Sequence, residues 1–259
     1  MLKISLALHL AGLLALALYP LAWVWIVVVL AFNHLVIITS VFCPRGRLLG
    51  PNVIRLPAAA AARGEVGLTF DDGPDVHVTP RVLDLLDRFE MKASFFCIGS
   101  KVNAYPELVK DIIARGHTVE NHSYAHPHGF AMIGPWRASR DIDAAQSAIT
   151  RAAGDAPRYF RAPNGFRNPW LDPVLCRRDL LYVSWTRRGL DSVRRDAAAV
   201  TRALTRNLKA GDILLLHDGN CGRASDGRPM VLAVLPDLLD RLCHAKLKSV
   251  ALRTALQSD

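Results

Sequence analysis

Two aspartates, Asp71 and Asp72, stand side by side in the stretch TFDDGP at 69–74. Adjacent like charges repel, so a fold keeps them only on a wet loop or where a cation or a proton separates their roles. Two histidines, His122 and His126, lie four residues apart in HSYAH. On a helical turn both rings point one way and can grip one metal ion. An isolated HxxxH is more often two surface histidines, but two histidines plus a carboxylate leave a coordination position for water, as in catalytic zinc sites. A cation there lowers the pKa of water and polarises a carbonyl. One aspartate of the pair then binds the cation, and the other stays free as a base. His217, closing the apolar run LLLH, could protonate a leaving amine, with Asp191 holding its other ring nitrogen and raising its pKa. Arg161 could pair with the free base and keep it ionised and oriented. Trp185 and Trp136 could form a sugar-stacking wall, although packing is the commoner role of a lone Trp.

These groups need elements to carry them. Short apolar runs at 66–70, 93–98, 118–120, 159–161, 181–185, 213–216 and 249–251 have strand character. Amphipathic stretches at 79–89, 106–114, 136–152, 171–178, 197–208 and 230–245 alternate with them. That alternation indicates a parallel α/β sheet. About seven repeats without a dinucleotide glycine fingerprint favour a barrel over an open sheet. Chemistry in such folds collects at the carboxyl ends of strands. Polar, titratable groups follow five successive strands here, and one active site explains all of them together.

The chain has 259 residues, 51% of them hydrophobic, and the apolar excess sits at the amino end. From Ile4 to Pro44 there is no Lys, Arg, Asp or Glu. A bilayer span needs ~20 apolar residues, so residues 1–43 are expected to form a membrane segment of one or two helices, the stronger at 21–42. A cleaved signal peptide fits less well, because the run is too long. Residues 44–64, with their Pro, Gly and PAAAAARG, have linker composition, and 65–259 form the catalytic domain. Lys3 precedes the apolar run and Arg45, Arg47, Arg55 and Arg63 follow it. By the positive-inside rule this places the domain on the cytoplasmic face of an inner-type membrane, with a periplasmic face as the alternative.

The net charge is +9, with Lys3 the only charged residue before Arg45. A basic domain beside a membrane suits anionic head groups or phosphorylated substrates as well as ordinary solubility. No arginine stripe interleaved with aromatics points to nucleic acid, and no protein partner is evident. Five cysteines, an odd count without a CxxC pair, fit neither a disulfide framework nor a zinc-thiolate site.

Taken in order, TFDDGP (69–74), HSxxH (122–126), RxPxG (161–165), a Trp-to-Asp element (185–191) and LLHD (215–218) resemble the motifs of the polysaccharide deacetylases of the NodB-homology type, carbohydrate esterase family four. The resemblance spans residues 65 to about 255. It implies a distorted barrel and a divalent metal, usually zinc. It assigns Asp71 as base, Asp72, His122 and His126 as metal ligands, Arg161 as the residue orienting the base, His217 as acid and Asp191 as its tuning partner. Asn164, Gly165 and Trp185 become substrate contacts, the oxyanion being held by the metal and a backbone N–H near Asn164. Asn164 stands where the family often has Tyr, Arg188 where it often has Asp, and Ser192 where it often has Trp. These departures leave the polymer undefined, and Arg187 with Arg188 adds positive charge that suits a phosphate-bearing substrate. The implied activity is metal-dependent removal of an N-acetyl or other N-acyl group from an amino sugar, in a membrane- or envelope-associated glycan or a lipid-linked saccharide. O-acetyl esterases, non-sugar amidases and a silent carbohydrate-binding protein are the alternatives on the same fold.

Overall fold

A computed structural model describes residues 1–256; the expected domain end at 259 lies outside the described residues. The strands are β1 (Glu65–Asp71), β2 (Ala93–Cys97), β3 (Thr118–Asn121), β4 (Tyr159–Phe160), β5 (Leu181–Tyr182), β6 (Arg187–Arg188), β7 (Ile213–His217) and β8 (Lys248–Ser249). Seven of them form a continuous path in the order β5-β4-β3-β2-β1-β7-β6, and β8 pairs with β1 off that path. All these pairings are parallel. The result is the expected distorted barrel, half open between β5 and β6. The two-residue β6 carries no apolar signal and was not among the expected strands.

Side chains alternate across each strand, and the two faces have different fates here. Val66, Leu68 and Phe70 of β1 and Leu214 and Leu216 of β7 point outward into a core shared with the helices. Ile213 and Leu215 of β7 and Phe96 of β2 join an inner cluster with Leu56, Val183 and Trp185. The opposite face of β1 carries Thr69 and Asp71. The β1–β7 register sets Asp71 directly beside His217, so two of the polar groups reach one edge by strand pairing alone.

The crossover helices are α4 (Thr79–Arg88), α5 (Gly99–Ala104), α6 (Pro106–Ala114), α7 (Pro135–Ala153), α8 (Leu171–Cys176), α9 (Ala197–Thr205) and α10 (Met230–His244), with α11 (Leu252–Leu256) at the end. In α4, Val82, Leu83 and Leu86 bury one stripe, the spacing that an amphipathic helix requires. α3 precedes them all in sequence except the two amino-terminal helices and covers Ala58–Ala62.

Residues 44–64, expected as a linker, lie along the barrel instead. Val53 bridges Val183 and Arg55 bridges Asp212. Leu56 donates its N–H to the Gly211 carbonyl at 2.8 Å. Leu49, Leu56 and Ala60 are buried. The stretch thus ties the end of β5 to the start of β7 near the open seam. Its Ala- and Pro-rich composition mimics a spacer, while its scattered apolar residues seal the barrel.

The amino end forms a helical hairpin, α1 (Leu2–Leu18) and α2 (Trp23–Val41). Tyr19-Pro20 turns it, as proline at a helix start favours. Among the described residues one helix, Pro20–Val41, is long and apolar enough to cross a bilayer; Leu2–Leu18 is apolar but shorter. The Asn33 amide donates to the Ser5 hydroxyl at 2.8 Å across the hairpin, and Gly12 lets Ile26 approach closely.

Candidate active site

Adjacent aspartates can take separate roles because the chain turns between them. Asp71 ends β1 in extended conformation, whereas Asp72 has φ 70°, a region that Asp tolerates better than most residues. The turn is clasped by the loop after β7: a Cβ on Gly219 would sit 2.0 Å from the Asp72 carbonyl oxygen. Only glycine permits that approach. Lys101 donates to the same carbonyl at 2.8 Å.

Arg161 runs fully buried beside Asp71. It donates to Asp71 Oδ1 at 2.6 Å, the Thr69 hydroxyl at 2.9 Å and the carbonyls of Val183 and Ser184 at 3.2 and 2.9 Å. Its guanidinium lies 4.0 Å from the Phe96 ring centroid. A buried cation is tolerated when it is paired and its donors are satisfied. These contacts aim Asp71 and leave its Oδ2 near His122, 3.9 Å from Nε2.

His122 and His126 converge without a helix. They sit on an irregular loop after β3, where Ser123 has φ 65° and His126 φ 47°. This corrects the helical-turn expectation. The loop is held from outside: Asn121 accepts from the Ser123 N–H, Ser123 Oγ from the His126 N–H, and Asp141 of α7 from the N–H groups of Tyr124 and Ala125. Asp141 has no motif around it and was missed from sequence.

The Nε2 atoms of His122 and His126 lie 3.3 and 3.0 Å from Asp72 Oδ1. All three ligand atoms fall within 4.8 Å of one another. Nδ1 of His122 is 2.8 Å from the Arg161 carbonyl. That oxygen only accepts, so Nδ1 carries a proton and Nε2 is the nitrogen that faces Asp72. Asp72 Oδ1 is buried with no hydrogen-bond donor aimed at it. Burial disfavours charge on Asp72, yet the two histidines hold its carboxyl far below the usual range. Burial likewise opposes charge on His122, and Asp71 and Asp72 outweigh it to raise its pKa. Two histidine nitrogens and an orphaned carboxylate oxygen are the donor set a divalent cation takes, and the residues fit it.

Across the cavity His217 is gripped by Asp191. One Asp191 oxygen accepts from the His217 backbone N–H at 2.8 Å and the other meets its Nδ1 at 2.9 Å. Burial works against the imidazolium, but Asp191 dominates and pushes the His217 pKa up to about 9. Beside it Asp218 is pushed up to about 7 by burial, and accepts from the Thr79 hydroxyl at 2.6 Å.

Asp71, Asp72, His122, His126 and His217 line one cavity of about 480 Å³. Asn164, Gly165 and Trp185 line it too, with Lys101, His128, Arg188 and Ser192. Asn164 has φ 58°. Gly165 accommodates the Trp185 ring, which a Cβ would approach to 2.3 Å. Arg161 and Asp191 act from beneath the wall. Trp136 does not join the site: it is 83% exposed on the first turn of α7. Arg187 does not join it either. It pairs with Asp212 and donates to the carbonyls of Arg206 and Asn207. β-pairing explains the split: Arg187 stands opposite outward-facing Leu214, and Arg188 opposite inward-facing Leu215.

The half-open parallel barrel thus carries a His-His-Asp cluster and a carboxylate–imidazole pair at its carboxyl edge. The polysaccharide deacetylase family matches residues 59–175. A peptidoglycan-N-acetylglucosamine deacetylase of Bacillus cereus is 30% identical over 68% of this chain and 64% of its own length. The chain therefore spans somewhat less than two thirds of that relative. A chitooligosaccharide deacetylase of Sinorhizobium fredii is 36% identical over 63% of the chain and 76% of its own length. The solved structure of a peptidoglycan N-acetylglucosamine deacetylase superposes with a TM-score of 0.72 and 26% identity, covering 80% of this chain and 94% of that one. The chain belongs to the polysaccharide deacetylase family.

Proposed function

We propose that this protein is a metal-dependent hydrolase that removes an N-acetyl group from an amino sugar of a membrane- or envelope-associated glycan or lipid-linked saccharide. The observation that carries this reading is the disposition of Asp71 and His217 in one cavity with Asp72, His122 and His126. By description the two relatives named above are a peptidoglycan-N-acetylglucosamine deacetylase and a chitooligosaccharide deacetylase.

Asp72, His122 and His126 would hold a divalent cation, zinc by its donor preference. Such a cation supplies Lewis acidity toward the acyl carbonyl and acidifies water. Asp71, aimed by Arg161, takes the proton of the attacking water at its carboxylate. His217 carries a proton that can pass to the leaving amine, and Asp191 keeps it charged and oriented. A backbone N–H near Asn164 faces the developing oxyanion. Trp185 and Gly165 form the wall against which the sugar rests.

The amino-terminal hairpin anchors the domain to an inner-type membrane, with the catalytic face on the cytoplasmic side. The arginines at 45 and 47 after the second helix support that orientation. A reporter at the carboxyl end that is active only outside the cytoplasm would reverse it.

The test of activity is acetate release by detergent-solubilised protein. Release that disappears on chelation, returns with zinc and is lost in Asp71→Asn is expected. Release that persists in Asp71→Asn would remove the assigned base.

A further inference from the structure

One cation on the cavity wall has no task in the reaction described above. Arg188 lines the cavity, and its Nε is enclosed without a hydrogen-bond partner. The other charged groups there are engaged. Asp71 is paired with Arg161, Asp72 lies against two imidazoles, and Lys101 is bound to a carbonyl. Among the described residues no carboxylate pairs with the Arg188 guanidinium, which lies 5.4 Å from the Trp185 ring centroid. The strand register keeps Arg188 facing inward next to Leu215, with its guanidinium over the indole. A planar guanidinium held in a half-enclosed cavity is a ready receptor for an oxyanion.

The position of this wall narrows the oxyanion. The end of the apolar hairpin touches the same part of the barrel. Phe42 packs edge-on against Phe166 with centroids 5.3 Å apart. Pro44 lies against Gly165. Arg45 reaches the carbonyl of Thr186, two residues before Arg188. Asn52 ties this junction down by donating to the carbonyls of Pro44 and Gly46 at 2.9 and 3.0 Å. The cavity wall at Gly165 is thus set at the foot of the span-length helix Pro20–Val41. That is the depth at which the phosphates of membrane lipids lie, and where basic side chains meet them.

We propose that Arg188 is a specificity residue that receives a phosphate carried by the amino sugar, so that the preferred substrate is a phosphate-linked rather than a neutral saccharide. The proposal rests on the hydrolase reading of the cavity. It adds no chemical step: the phosphate stays intact and only the amide is cut. It also accounts for two arginines of opposite fate in a two-residue strand, Arg187 being spent on the fold and Arg188 left for a ligand.

The experiment compares wild type, Arg188→Gln and Arg188→Lys, all zinc-loaded and full length. Acetate release is measured on N-acetylglucosamine 1-phosphate, on the same sugar phosphate esterified to a polyprenol in detergent, and on a neutral N-acetylglucosamine tetramer. Calorimetry follows the deacetylated products, glucosamine 1-phosphate and the glucosamine tetramer, which bind without turnover. Loss of charge-assisted hydrogen bonds predicts that Arg188→Gln lowers kcat/KM and product affinity on the phosphate probes at least about tenfold more than on the tetramer. Arg188→Lys should fall between, keeping the charge without the fork. Arg195→Ala, an exposed arginine outside the cavity, controls for surface charge and should not discriminate between probes. Equal effects of Arg188→Gln on phosphate and neutral probes, or none on either, would overturn the proposal. A polyprenyl probe favoured over the free sugar phosphate supports it and identifies a lipid source; equal use of the two supports it with a free sugar phosphate. Absence of acetate release from every probe would instead sink the hydrolase reading, and product binding would still decide the role of Arg188.

Discussion

His217 shows how a single contact sets a working pH. Burial alone would make it a weak base, yet Asp191 occupies both its Nδ1 and its backbone N–H and pushes its pKa up to about 9. The raised folded value means the protonated form is favoured by folding. The resulting stabilisation is complete below the unfolded His pKa of about 6.5 and fades as pH rises through 9. The proposed acid role of His217 would follow the same limb. kcat/KM should therefore fall as pH rises through about 9, and Asp191→Asn should move that limb down by about a unit or more. An alkaline limb unmoved in the variant would show that another group is the acid. Arg161 makes the complementary case. Arg161→Met leaves Asp71 buried without its cation and four acceptors without their donor. Breaking a buried pair in this way costs about 3–5 kcal/mol, readable by urea unfolding. Most of the motif residues announced themselves because they follow the end of an apolar strand. Arg187 and Arg188 did not separate until β-pairing sent one outward and one inward.

Among the elements, the loop after β3 holds the two histidines of the candidate metal site and has no regular structure of its own. Its shape comes from Asp141 on α7, Asn121 and Ser123. Asp141→Ala frees the N–H groups of Tyr124 and Ala125 and lets His122 and His126 drift apart. Zinc affinity, measured by competition with a chelator, should weaken about 10–100-fold, as for other supports of metal ligands, while the far-ultraviolet spectrum stays native. An unchanged affinity would mean that Asp72 alone orders the loop. The strand–helix alternation was legible in sequence because it depends on local periodicity. The helical reading of HSxxH failed because spacing says nothing of φ, and three of the residues that shape the site, Asp72, Ser123 and His126, lie at positive φ. Backbone strain of this kind collects where function demands a particular aim.

At the scale of the whole molecule, residues 44–64 are part of the barrel. Leu56 is buried in the inner cluster with Val183, Trp185 and Ile213. Leu56→Ala should cost about 2–5 kcal/mol in unfolding free energy, against near zero for a residue in a free spacer. A chain starting at residue 65 should be recovered misfolded, and one starting at 44 should fold and remain in the supernatant after ultracentrifugation. Recovery of a stable domain from residue 65 would return the stretch to linker status.

By itself the sequence determined the fold class, the edge at which chemistry occurs and the chemical types gathered there, because apolar periodicity and strand-end residues are local properties. Tertiary structure decided the rest. It divided the roles of Asp71 and Asp72 through one backbone turn, threaded Arg161 beneath the site, and excluded Trp136 and Arg187. It also brought the foot of the apolar hairpin against the cavity wall. Those outcomes depend on register, on positive φ and on contacts between separate segments of the chain, none of which leaves a pattern along it.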